Sequence, residues 1–391
     1  MEEKKIKILR VIARLNIGGP AIHTVLLTSA LNNDNFSTKL VAGNISSNEG
    51  DMSYLADQKQ VSVQYIPHLQ REISPAKDFK TALSLWKIIK DYRPNIIHTH
   101  TAKAGLVGRA CALLFNMVYR TDIKVVHTFH GHVFHSYFSP LKTKFFILLE
   151  RALAEFSDLI ITITPKQQEE ILSLKVGKRL KNKVIPLGLD LDKFYYFNKN
   201  SNFIYQQFRI DPSKKLIGIV ARFVPIKNIT LFLKIARSLL NKRDDIHFVL
   251  VGDGEERELL ESSCKKLNIE EHVTFTGFVN DLPKIYADFY LTLLTSNNEG
   301  SPVSIIESMT SGTPVVASNV GGVPDLYKEE AKWMLCEPDK VDDFVKATEK
   351  LLDHPELANE IGELHKHDTY NKYSFYRLVN DLTLEYNKLV S

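Results

Sequence analysis

The chain reads as an α/β protein built from two parallel-sheet domains in tandem. Three observations lead there. Its 391 residues are about twice the length of a common domain. Short apolar runs of strand length alternate with longer stretches of helical periodicity, the pattern of a parallel sheet covered on both faces. The alternation loosens once, after Val184-Ile185-Pro186-Leu187-Gly188, and then restarts.

In the first half, residues 6–13 form an apolar run that predicts a buried strand, and Gly18-Gly19 precedes a helix over 20–31. Strands follow at 37–42, 96–100, 124–130 and 159–164, with helices at 80–92, 104–115 and 141–154 between them. Residues 191–213 are rich in Asn, Tyr and Lys and contain Asp211-Pro212, which reads as a connection between domains. The second half predicts strands at 216–221, 247–252, 273–276, 289–294 and 313–318. Its helices are expected at 229–241, 255–267, 282–287 and 302–311. The domains are therefore expected at 1–190 and 214–370, joined by 191–213, with a terminal segment at 371–391. Two such Rossmann-like domains are expected to face one another across a cleft. Ligands of open α/β sheets bind beyond the carboxyl ends of the strands.

Composition narrows the class. Hydrophobic residues make up 44% and charged residues 25% of the chain, enough apolar material for full cores and against a disordered or fibrous chain. Cys111, Cys264 and Cys336 lie far apart with no C-x-x-C spacing, so reduced thiols are expected rather than a zinc or redox pair. The amino-terminal run lacks the apolar core of a signal peptide, and charges interrupt every candidate membrane span. A cytoplasmic location is the expectation. Residues 1–190 hold 26 Lys and Arg against 16 Asp and Glu, whereas 191–391 hold 24 against 30. A basic half suits either anionic partners or a solvated surface. No nucleic-acid partner is expected.

Thr295-Ser296-Asn297-Asn298-Glu299-Gly300-Ser301-Pro302 carries the strongest chemical signal. A strand ends, a polar loop follows and a helix begins, with Ser301 read as the N-cap and Pro302 as the first helical residue. Free backbone N–H groups and the helix dipole make such a start an anion site. Glu299 in the loop and Glu307 on the helix add two carboxylates able to bind sugar hydroxyls. Arg222 and Lys227 lie in another strand-to-helix loop. Two fixed cations there suit a diphosphate, both bound and departing. Val251-Gly252-Asp253-Gly254 lacks the third glycine of a dinucleotide fingerprint, since Arg257 occupies that place, and is read as a tight turn.

Together these motifs resemble the family 4 retaining glycosyltransferases of the GT-B fold. The resemblance covers essentially the whole chain. It rests on the E-x7-E pair Glu299 and Glu307, the strand–Arg–loop–Lys element of Arg222 and Lys227, and the Gly252-x-Gly254 turn. It implies a nucleotide diphosphate sugar as donor, a uridine diphosphate sugar being favoured, and retention of anomeric configuration. By the same resemblance Arg222 and Lys227 bind the diphosphate, Glu299 the transferred sugar and Glu307 the ribose. The Gly300, Ser301 and Pro302 backbone meets sugar and phosphates, and Val279 borders the base. Gly18-Gly19 reaches the donor phosphates, although a plain turn would also use glycine. His130, which ends Val125-Val126-His127-Thr128-Phe129, takes the place of the family's active-site histidine, and His127 reads as structural.

His98, His100, His127, His130, His132 and His135 cluster near strand ends, but without an i, i+4 pair or nearby carboxylates they are not read as metal ligands. No metal and no cofactor are expected, the nucleotide sugar being a substrate. Asp190-Leu191-Asp192 is assigned to structure.

The segments around His100 and His130 are similar to those of bacterial enzymes that build capsule, O-antigen or exopolysaccharide, which implies a glycan or lipid-linked acceptor. The basic, aromatic stretch at 134–146 suits either an anionic membrane surface or packing on the sheet. Peripheral association with the inner face of the plasma membrane is expected to accompany the first. The terminal amphipathic segment, with Leu378, Val379, Leu382, Leu384 and Tyr386, corresponds to the family's helix that crosses back to the first domain. A second crossing would limit the domains to hinge-like closure. A non-hydrolysing nucleotide-sugar epimerase of the same fold is the first alternative. A non-catalytic sugar-binding protein is the second and a nicotinamide dehydrogenase the third.

Overall fold

The computed structural model describes residues 5–16, 18–45, 50–70, 74–130, 140–199 and 201–391, without the side chains of 140–142. The chain divides into two compact units, Met1–Gly188 with Phe375–Ser391, and Leu189–Ser374.

In the first unit seven strands form one parallel sheet: β1 Ile6–Ile12, β2 Phe36–Gly43, β3 Val63–Ile66, β4 Ile96–His100, β5 Lys124–Phe129, β6 Leu159–Thr162 and β7 Asn182–Val184. Their order is β3-β2-β1-β4-β5-β6-β7. Strand β1 is buried on both faces, and its side chains alternate between two cores. Ile8 joins Leu27, Phe36, Ile96, Val126 and Ile161. Leu9 and Val11 join Val41, Leu85, Ile89, Ile97 and Val125. This period of two explains why a continuous apolar run makes a central strand.

The terminal helix Phe375–Val390 belongs to this unit, and Leu378, Leu382 and Tyr386 complete the first of those cores. The helix is amphipathic because only that face meets the sheet. Arg377 anchors its start by donating to the carbonyls of Pro186 and Leu187 at 2.8 and 2.6 Å. Lys183 pairs with Glu385 at 2.5 Å near its end.

The second unit repeats the plan with six parallel strands: β8 Lys215–Val220, β9 Ile246–Val251, β10 Val273–Gly277, β11 Phe289–Leu294, β12 Val315–Ser318 and β13 Leu335–Cys336. Their order is β10-β9-β8-β11-β12-β13. In both units the strand order reverses beside the first strand, at β1/β4 and at β8/β11. The loops leaving those paired strands run to opposite faces and open a crevice at the carboxyl edge.

Residues 191–213, read from sequence as a connection, fold within the second unit. Short helices form at Asp192–Tyr195 and Phe203–Phe208. The buried Asp288 carboxylate draws the chain in by accepting from Ser201 Oγ, Asn202 N and Ile204 N at 2.8–2.9 Å. Asp192 accepts from the Tyr370 hydroxyl at 2.8 Å, a structural use of the D-x-D triplet. The three cysteines are free and buried. Among the described residues no helix is long and apolar enough to cross a membrane.

Candidate functional site

The carboxyl edge of the second sheet gathers the charged residues that the sequence singled out. The loop after β8 carries Arg222 and is clamped by backbone hydrogen bonds. Phe223 N donates to Asp253 O at 2.9 Å and Glu256 N to Phe223 O at 3.1 Å. The clamp needs glycine on its other side. A Cβ on Gly252 would lie 1.9 Å from Ala221 O, and one on Gly254 2.4 Å from Phe223 O. The G-x-G turn thus fixes the arginine loop. The Arg222 carbonyl accepts from Val224 N at 3.0 Å, and its side chain is exposed, with no hydrogen bond or ion pair to another described side chain.

A short turn at Pro225–Lys227 and a left-handed Asn228 join that loop to its helix. The loop after β11 is tied to this turn at three points. Asn297 N donates to Ile226 O at 2.8 Å, Thr295 Oγ1 to Lys227 O at 3.1 Å, and Asn228 Nδ2 to Asn297 Oδ1 at 3.0 Å. The tie brings Lys227 Nζ within 2.6 Å of Glu299 Oε1, which also accepts from Ser296 Oγ at 2.6 Å. The Glu299 main chain is pinned by Gly322 N, which donates to its carbonyl at 3.1 Å. A Cβ on Gly321 would stand 1.7 Å from that carbonyl oxygen, and its φ of 55° also requires glycine. Ser296, though within the motif read from sequence, had no role assigned there, and Gly321-Gly322 was not singled out. The available signal was a Gly-Gly pair just after a strand.

Ser301 does not cap the next helix, which runs Val303–Thr310 with Pro302 at the N-cap position and no side-chain cap. Proline's ring fixes φ but leaves ψ free. Here ψ is 106°, so helical geometry starts one residue later than expected. The first N–H groups are left without a side-chain acceptor, and a Cβ on Gly300 would meet nothing within 4 Å. Glu307 lies one turn into the helix, closely surrounded by protein yet still partly accessible. Burial pushes its carboxyl up to about 7, against the opposing effects of Lys193 and the Tyr286 hydroxyl, 3.4 Å from Oε2. Val279 is partly buried just after β10, whose last residue, Gly277, accepts from Gly252 N at 2.9 Å.

In the first unit the corresponding edge holds histidines. Helix Gly19–Ala30 starts at Gly18 without a side-chain cap, so Gly18 and Gly19 border free N–H groups. His23 on that helix approaches His130 with ring centroids 4.9 Å apart, and His100 Nδ1 lies 2.9 Å from His130 Nε2. His127 instead points into the core, hydrogen-bonded to Thr99 Oγ1 at 2.8 Å and edge-on to Phe129. His132 and His135 lie outside the described residues, as do residues 134–139 of the stretch 134–146.

Sequence reading missed His23. Its position four residues after Gly19 on the first helix was the only clue. Burial lowers the proton affinity of the cluster, His130 falling to about 4 and His23 and His100 well below the ordinary histidine value. One ligand atom from each of His23, His100 and His130 falls within a 4.8 Å set. Tetrahedral zinc needs ligand spacings of about 3.3 Å, given its roughly 2.05 Å bonds. The buried Arg10 guanidinium also acts on His23 and His100 in the sense that disfavours added positive charge.

A two-unit α/β chain with cations, a carboxylate and an uncapped helix start at one switch point fits the class of enzymes that handle phosphorylated sugars. Family comparison is specific. Residues 17–193 match the model described as Glycosyltransferase Family 4, and 200–368 match Glycosyl transferases group 1. A relative in Escherichia coli, named UDP-Gal:alpha-D-GlcNAc-diphosphoundecaprenol alpha-1,3-galactosyltransferase, is 30% identical over 77% of this chain and 76% of its own length. Among solved structures, a glycosyltransferase from Rickettsia africae superposes with a TM-score of 0.83 at 16% identity, covering 100% of each chain. Anabaena HepE in complex with UDP superposes with a TM-score of 0.81 at 19% identity, covering 98% of this chain and 100% of its own. The chain belongs to the family 4 glycosyltransferases and has their GT-B fold of two Rossmann-like domains.

Proposed function

We propose that this glycosyltransferase moves a sugar from a uridine diphosphate sugar to a glycan or lipid-linked acceptor in surface-polysaccharide assembly, with retention of anomeric configuration. The observation that carries the reading is the Lys227–Glu299–Ser296 cluster beside the uncapped helix start and the free Arg222. It offers cations and N–H donors to a diphosphate and a carboxylate to hydroxyls. The relatives named for UDP and for a diphosphoundecaprenol acceptor support the choice of donor and acceptor class.

In this reading Arg222 and Lys227 hold the diphosphate and stabilise it as the bond to the anomeric carbon breaks. Lys227 exchanges Glu299 for phosphate, which releases the Glu299 carboxylate to the sugar. Glu307 accepts from the ribose, and Val279 borders the base. The Gly300, Ser301 and Pro302 backbone meets sugar and phosphates, as Gly18-Gly19 does the phosphates. His130 meets the transferred sugar. The acceptor hydroxyl attacks from the face the diphosphate leaves, and its proton passes to a departing phosphate oxygen. The two side-chain cations supply the charge that a metal supplies elsewhere, so activity is proposed to be metal-independent.

A panel of nucleotide sugars, read by nucleotide release with and without a lipid-diphosphate glycan acceptor, tests this. Acceptor-dependent release from a UDP-sugar, an α-linked product from an α-donor, and full activity in chelator are expected. Conversion of the donor without acceptor would point to the epimerase instead.

A further inference from the structure

The histidines of the first unit are linked in a way that neither the family resemblance nor the proposed reaction uses. Arg10 in the middle of β1 is wholly buried, and among the described residues no carboxylate pairs with it. Its Nη1 lies 3.0 Å from the Tyr386 hydroxyl and 3.2 Å from His98 Nδ1. A guanidinium can only donate, so His98 Nδ1 must accept. The Tyr386 oxygen also takes a hydrogen from Arg10, and its own hydrogen is directed to His98 Nδ1 at 2.6 Å. The His98 proton therefore sits on Nε2, 2.8 Å from Thr128 Oγ1. One tautomer and one ring orientation of His98 fit these contacts, although Arg10 Nε and Nη2 find no partner among the described residues.

His98 in turn backs His100. The two ring centroids are 4.2 Å apart and the planes tilted by 33°. His100 is fully buried, and Thr101 after it adopts φ 71°, a strained value for a β-branched residue that turns the chain sharply into helix Ala102–Tyr119. Between ring and turn, His100 has little freedom. Its Nδ1 meets His130 Nε2 at 2.9 Å, and among the described residues His130 Nδ1 has no partner.

We propose that His100 is the positioning residue for His130: it holds Nε2 of that ring, leaves Nδ1 to meet the donor sugar, and is itself braced through His98 by Tyr386 of the C-terminal helix. A metal occupying the cluster would have to break the 2.9 Å contact between His100 and His130 and would bring positive charge beside Arg10, so neutral imidazoles, with His100 hydrogen-bonded to His130, are the arrangement the charges favour. The inference rests on the reading of His130 given above.

Steady-state kinetics of the full chain separate the two ideas. His100→Phe keeps an aromatic ring stacked on His98 but removes the hydrogen bond. It should lower kcat by roughly 10- to 100-fold, the scale of loss for a misplaced group, with little change in donor KM. His100→Asn places an amide where Nδ1 stood and should recover most of that loss. His130→Ala should be at least as damaging as His100→Phe, and His100→Phe should add nothing in the His130→Ala background. Wild-type turnover by His130→Ala would remove the functional reading beneath the inference. An impaired His130→Ala with a normal His100→Phe, equal damage from Phe and Asn, or additive losses would overturn the inference alone. Should His100→Phe not fold, nitrogen shifts of histidine-labelled wild-type protein give a second answer. His98 protonated at Nε2 only is expected, and a His98 protonated at Nδ1 would sink the proposed brace.

Discussion

The two sheets are built alike and open their switch points alike, yet they furnish them with opposite chemistry. At the second unit's edge stand Arg222, Lys227 and Glu299, charged and within reach of solvent. At the first unit's edge stand His23, His100 and His130, neutral, with the Arg10 charge sealed inside. A highly charged ligand such as a diphosphate requires mobile, solvated cations that can change partner on binding. Orienting a neutral sugar requires fixed donors and acceptors instead, and buried imidazoles hold their direction because nothing competes for them.

Removing either cation is the strongest way to break this contrast. Arg222→Ala or Lys227→Ala should cut turnover by at least ~100-fold, the scale for a group that stabilises developing charge. Lys227→Ala also strips Glu299 of its ion-pair partner, leaving Ser296 on that oxygen. Folded variants of both with near-normal initial rates would disprove the charge assignment.

Next in size is the terminal helix. Leu382→Ala should destabilise the first unit by about 2–5 kcal/mol, the range for a buried leucine, while leaving the second unit's local stability unchanged. Hydrogen exchange resolved by peptide measures both at once. Equal loss of protection in the two units would show that the helix does not belong to the first alone.

Acid and base should then act on the two units with opposite sign. The first unit's buried histidines have folded pKa values below the unfolded value of 6.5, His130 at about 4. Their neutral burial contributes stability that is present above pH 6.5 and lost as pH falls toward 4. Glu307 in the second unit is raised from 4.5 to about 7, so its contribution is present below pH 4.5 and lost as pH rises through 7. Glu307→Gln should raise the second unit's stability at pH 8 by about 1–3 kcal/mol and change it little at pH 4. Exchange protection measured at both pH values would sharpen the comparison, and a Gln variant with unchanged pH dependence would refute the Glu307 half.

The smallest effect concerns surfaces. Phe79, Leu83, Met117, Phe145 and Leu148 are exposed on helices of the first unit, whose sequence half carries the excess of Lys and Arg. Sedimentation with anionic vesicles should pull the chain down, and added salt should weaken it. Equal behaviour with neutral vesicles would dismiss a charge-dependent membrane role.

Periodicity alone determined the tandem α/β architecture, because a doubly covered strand must be apolar along its length and a covering helix on one stripe. Strands at residues 96–100 and 289–294 were legible to the residue for that reason. Weak or edge elements were not. β3, β7 and β13 are two to four residues long, too short for a period to register. Motif spacing likewise singled out Arg222, Lys227 and Glu299, which sit at strand-to-helix junctions where local geometry is stereotyped, and Glu307 one turn into the helix that follows. Tertiary structure decided the rest. Asp288 holding the segment after Ser201, Gly321 under Glu299, His23 beside His130, and Tyr386 on His98 are contacts between residues 22 to 288 positions apart. No local pattern encodes such a meeting. It exists only once the sheet has stacked its strand ends on one edge and burial has left each polar atom to find the nearest partner.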